Sequence, residues 1–152
     1  MSLETINDPE FGSLTWDTKL AEWRGKSTMT DGTEFGLSVA TPAESQLPAE
    51  VESNPDKTIT SESRIAFRNI RRGDAHIRAK VADKYVSLYS EWHDGERISS
   101  EVFQRRLQLD SIRVCASGEA EIFYLDDGMF GGHSLIAHLK PDGTVYDVEL
   151  FG

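Results

Sequence analysis

The chain has 152 residues, a formal net charge of −10, 38% hydrophobic and 28% charged side chains, and one cysteine. That length buries a single sizeable core, so one domain over residues 1–152 is expected. No apolar run approaches the ~20 residues that span a bilayer, and so acidic a surface repels double-stranded nucleic acid and anionic membranes.

Charge is uneven along the chain. Residues 1–60 hold 4 basic and 11 acidic groups, residues 61–106 hold 10 and 7, and residues 107–152 hold 2 and 8. An anionic partner would have to find the central segment, whereas a basic protein partner is easier to accommodate. The start, Met1-Ser2-Leu3-Glu4-Thr5, lacks the basic and apolar regions of a secretory signal. Met1, Ser2 and Leu3 read as a vector-derived remnant. Cys115 has no second cysteine to pair with and sits in the strand-like run Ile112-Arg113-Val114-Cys115-Ala116, which suits a reducing, cytoplasmic setting.

Residues 11–41 alternate short apolar runs with turns. Leu14-Thr15-Trp16 and Leu20-Ala21-Glu22-Trp23 flank the hairpin signal Asp17-Thr18-Lys19, and Asp31-Gly32 introduces a third strand, Phe35 to Val39. Prolines and polar residues mark a loop over 42–58.

Residues 60–107 read as helical. Thr60 to Ser63 offer capping hydroxyls, with Glu62 in the first turn. Ile77, Val81, Tyr85, Leu88 and Trp92 recur at helical spacing and form one apolar stripe, extended backwards by Ile70 and Phe67. Gly73 is expected to bend or interrupt this helix, and His93-Asp94-Gly95 to end it. A second, shorter helix opens at Ser99 or Ser100, with Val102, Phe103 and Leu107 facing inward.

Residues 108–152 read as a meander. Strands are expected over Ser111–Ala116, Ala120–Leu125, His133–Lys140 and Thr144–Leu150, with turns at Ser117-Gly118 and Pro141-Asp142-Gly143. Their connections are too short for parallel crossovers. The fold class is therefore α+β. An antiparallel sheet, built from the N-terminal hairpin strands and the C-terminal meander, packs on a long central helix and a second short one.

The run Gly118-Glu119-Ala120-Glu121-Ile122-Phe123-Tyr124-Leu125-Asp126-Asp127, followed by Met129-Phe130-Gly131-Gly132-His133-Ser134, resembles an uncharacterised bacterial group, the domain-of-unknown-function 2262 type. Phe11-Gly12-Ser13-Leu14-Thr15-Trp16-Asp17 with Trp23 is similar to that family's N-terminal hairpin. The resemblance implies a bacterial α+β domain without assigned catalysis, leans towards an immunity or interaction role, and supplies no catalytic residues.

Chemistry is sought first in the loop from Asp126 to His133, which sets two carboxylates, three glycines, Met129, Phe130 and a histidine between two strands. One reading is catalytic, with Asp126 or Asp127 orienting His133 for acid–base work. The other is structural: the aspartates cap free backbone amides while glycines supply positive φ. Met129 and Phe130 are either tucked into the core or offered to a partner. Arg64, Arg68, Arg71 and Arg78 fall within about 80° on a helical wheel. They either bind an anionic partner or pair with acidic groups of the same molecule. No metal site and no cofactor are expected, because His76, His93, His133 and His138 show no chelating spacing, and His133 and His138 would point to opposite faces of one strand. The favoured function is a non-catalytic protein-interaction module of immunity or accessory type. The alternative is a small enzyme or ligand-binding domain centred on the 126–133 loop.

Overall fold

The computed structural model describes residues 3–152; the reading of Met1 and Ser2 as a vector remnant lies outside them. The strands are β1 (Thr5–Asp8), β2 (Gly12–Asp17), β3 (Glu22–Thr28), β4 (Glu34–Ala40), β5 (Gln108–Val114), β6 (Ala120–Leu125), β7 (Ser134–Leu139) and β8 (Val145–Phe151). The helices are α1 (Pro48–Ser53), α2 (Ser61–Trp92) and α3 (Ser100–Arg106), with a short 3-10 turn at Pro42–Ser45. All eight strands join one sheet in chain order. The fold is α+β.

Every neighbouring pair is antiparallel except β4 with β5, which run parallel over Gly36–Val39 and Ser111–Val114. That exception follows from chain length, since α1, α2 and α3 lie in the connection and give it room to return in the same direction. Strand β1 was not anticipated, because Thr5-Ile6-Asn7-Asp8 carries one apolar residue and no period to read.

One face of the sheet is apolar along most strands: Leu14, Trp16, Trp23, Leu37, Val39, Ile112, Val114, Ile122, Tyr124, Leu135 and Ala137 share a core with Phe67, Ile70, Ile77 and Val81 of α2. Register keeps this consistent, with Leu14 opposite Gly25, Trp16 opposite Trp23 and Ile122 opposite Ala137. Aromatic pairs fasten the layers. Phe11 lies 4.8 Å from Phe67, and Trp16 meets Trp23 edge-on at 5.1 Å.

Helix α2 begins where expected, with the Thr60 hydroxyl accepting from the Ser63 amide. Gly73 does not interrupt it, and nothing stands within 4 Å of where its Cβ would be. A glycine in a helix costs about 1 kcal/mol relative to alanine, less than the burial on either side returns. The stripe holds at Ile77 and Val81, weakens at Tyr85 and Leu88, and fails at Trp92, which is 49% exposed. Tyr89 is the buried residue of the last turn instead. In α3, capped by Ser99, Phe103 is buried but Val102 faces solvent.

Candidate functional site

The loop from Asp126 to His133 connects β6 to β7 and lies against the C-terminal end of α2. Asp127, Gly128, Gly131 and Gly132 all take positive φ, at 50°, 77°, 77° and 90°. Three of the four are glycines, for which this region carries no Cβ penalty, and aspartate tolerates it better than most residues. The backbone therefore coils around Asp126. The Asp126 carboxylate accepts hydrogen bonds from the amides of Gly128 (2.9 Å), Phe130 (2.8 Å), Gly132 (3.2 Å) and His133 (3.0 Å). At 2% exposure it is cut off from water, and those amides offset the cost of burying it.

The postulated Asp–His pair does not form. His133 donates from Nδ1 to the Phe130 carbonyl at 2.5 Å. Asp127 turns to Arg106, whose Nε lies 3.2 Å from its carboxylate and whose Nη2 donates to its carbonyl at 2.8 Å. Neither carboxylate orients the imidazole, so Asp126, Asp127 and His133 have the geometry of a backbone clamp.

Of the two readings of Met129 and Phe130, the structure has the tucked one, at 1% and 0% exposure, so neither is offered to a partner as a binding residue. Phe130 packs edge-on to Tyr85 at 6.3 Å and to Trp92 at 5.6 Å, and lies 6.1 Å from Phe103. The Met129 carbonyl accepts from His93 Nε2 at 2.7 Å. Apolar burial and the end of α2 thus pull the loop tip inward.

The arginine face is likewise largely consumed within the molecule. Arg64 grips Asp8 through both Nη atoms at 2.7 and 2.6 Å, and Arg68 donates to Glu10. Arg78 bonds Asp74 at 2.9 Å and the carbonyls of Gln104 and Leu107. Arg71 makes no ion pair among the described residues and rests over the Phe67 ring at 5.7 Å. Four arginines on one helical face do not add up to an anion site when three already have partners in the fold.

Two features escaped the sequence. The first is a cleft of about 740 Å³ between α2, α3 and the β3–β4 turn, lined among others by Asp31, Asp74, Arg78, Gln104 and Arg105. Its inner end is braced by the Tyr124 phenol, which donates to Asp74 at 3.3 Å beneath the Arg78 guanidinium. Burial first, and the Asp74 carboxylate second, push that phenol far above the usual tyrosine range, so it remains protonated. The pair Asp74 and Arg78, four residues apart on a helix, was its one available signal. The second is a set of metal-competent side chains, His138, Asp147 and Glu149, brought together by the pairing of β7 with β8.

With this geometry in view, comparison with known proteins gives a family. The sequence profile of the family described as "Uncharacterized protein conserved in bacteria (DUF2262)" matches residues 8–150. The chain belongs to that family. No curated protein and no solved structure matches it.

Proposed function

We propose that the protein is a non-catalytic protein-interaction module whose binding surface is the sheet face turned away from α2. The observation that carries this reading is the character of that face. Leu125 and Phe151 stand on it at 43% and 64% exposure, in one row on either side of Ser134, and the next row pairs the half-buried Phe123 with the buried Ile136. Beside them runs a shallow trough of about 410 Å³, floored by Gly36, Ser38 and Ser111 and edged by Arg24, Lys26 and Arg113. Contiguous apolar surface with a polar rim is what partner-binding sites present. The reading gains from the 126–133 loop, whose polar atoms are used by the fold itself.

The immunity or accessory role goes with the small size and net charge of −10 of the chain, and the cationic edge formed by Arg24, Lys26 and Arg113 on the assigned face suits an acidic patch on the partner. A bacterial cytoplasm goes with it, since the lone Cys115 needs no oxidising compartment. No helix among the described residues is long and apolar enough to cross a membrane. A second reading, a small ligand-binding domain, is favoured by the cleft beside Asp74 and Arg105, a volume within the range of ligand pockets. Affinity capture followed by cross-linking separates the two. Leu125→Ser combined with Phe151→Ser is expected to abolish capture while Arg105→Ala leaves it intact; the opposite pattern would overturn the surface assigned here.

A further inference from the structure

On the outer face of β7 and β8, at the edge of the sheet, we propose a binding site for one divalent transition-metal cation formed by His138, Asp147 and Glu149. His138 and Asp147 face each other across the strand pair, and Glu149, two residues beyond Asp147 on β8, projects from the same side. One ligand atom from each side chain lies within 4.8 Å of the others. Ligands at about 2.1 Å from a tetrahedral zinc are about 3.4 Å apart, so small side-chain rotations close the set on an ion. The imidazole is already drawn to one carboxylate, with His138 Nε2 against Glu149 Oε1.

Three further observations favour a cation here. The donor set mixes one imidazole nitrogen with two carboxylates, which suits borderline ions such as Zn²⁺ and Co²⁺ and, through the carboxylates, also accepts the harder Mn²⁺. The register of β7 on β8 slips between His138 and Leu139, inserting Tyr146 as an extra residue. Such bulges recur next to functional sites, where they re-aim a side chain. Finally, Glu121 on β6 lies in register with His138 on its other side, adding negative charge to the same row. The opposing group is Lys84 of α2, whose ammonium lies 3.4 Å from Asp147 and also bonds the Val148 carbonyl. Its positive charge competes with an ion for the Asp147 carboxylate.

Those relations set the test, carried out on the full chain. Titration with Zn²⁺ by calorimetry and with Co²⁺ by visible absorption is expected to show one equivalent bound. His138→Ala and Glu149→Gln should each weaken it at least tenfold, whereas His76→Ala, an exposed histidine on α2, should not. Lys84→Met should tighten binding by removing the competing charge. In nuclear magnetic resonance spectra, Mn²⁺ should broaden amides of β7 and β8 first, a readout independent of variant stability. Absence of binding at millimolar metal, or binding unchanged in both His138→Ala and Glu149→Gln, would overturn the proposal, as would broadening centred elsewhere.

Discussion

Two buried aspartates close two turns of this protein, and they are stabilised by different means. Asp8, at the end of β1, accepts the amides of Glu10 and Phe11 at 2.8 and 2.9 Å and is gripped by Arg64. Asp126, at the end of β6, accepts four amides and has no cationic partner among the described residues. Each precedes an aromatic residue that the turn delivers to the core, Phe11 and Phe130, both fully buried. The Asp8 turn is thus an ion pair that also ties β1 to α2, while the Asp126 loop is a cage of backbone dipoles. An unusual loop composition, read first as chemistry, has a structural cause: a buried carboxylate needs donors, and glycines let the chain bend to bring them.

The comparison is broken most readily at Asp126. Asp126→Ala strands the buried amide of Phe130 and the part-buried amides of Gly128, Gly132 and His133 at once, and should cost about 3–5 kcal/mol in urea unfolding. Asp8→Ala deprives only two amides of their acceptor and leaves a guanidinium that can still reach water, so about 2–3 kcal/mol is expected. Reversal of that order would mean that the ion pair, not the amide cage, is the stronger device. A double-mutant cycle sharpens the point: Asp8→Ala and Arg64→Ala should couple strongly, whereas Asp126→Ala and Arg106→Ala should nearly add.

Acid offers a subtler contrast. Burial tends to raise the Asp8 carboxyl, but the hydrogen bonds from Arg64 and the two amides outweigh it and hold the group below its ordinary range. The folded state therefore binds that proton less readily than the unfolded chain. Its contribution is complete above the unfolded value of about 4 and is lost as pH falls through the lower folded value. Glu10, Asp31, Asp56 and Asp142 are also held low, so the whole protein should weaken in acid. Asp8→Asn should start less stable at neutral pH and lose less between about pH 5 and pH 2. Parallel stability curves would remove Asp8 from the account. The smallest effect belongs to His133→Gln, where an amide can replace the imidazole donor to Phe130; under about 1 kcal/mol is expected by thermal unfolding.

Much of the architecture was legible because turns and periods are local. Ala120–Leu125 was read to the residue, and the hairpin at Pro141-Asp142-Gly143 is closed by Asp142 accepting the Thr144 amide, with Gly143 at a φ of 90°. What escaped was non-local or lacked a period. The parallel contact of β4 with β5 depends on where a long crossover lands. The continuity of α2 through Gly73 depends on burial on both sides of it. The candidate site was legible as an address only. Whether Asp126 meets an imidazole or a set of amides is decided by positive φ at Asp127, Gly128, Gly131 and Gly132. His138, Asp147 and Glu149 meet only because a strand pair slips by one residue.

The central claim is that Asp126 is consumed in holding its own loop, with Met129 and Phe130 sealed beneath it. Amide hydrogen exchange tests it directly, because the amides of Phe130, Gly132 and His133 are held by the Asp126 carboxylate. Slow exchange of these amides in the native protein, collapsing to loop-like rates in Asp126→Ala while β3 and β4 stay protected, is the predicted result. Fast exchange at Phe130 and His133 in the native protein would contradict it and return the loop to the surface as a free functional element.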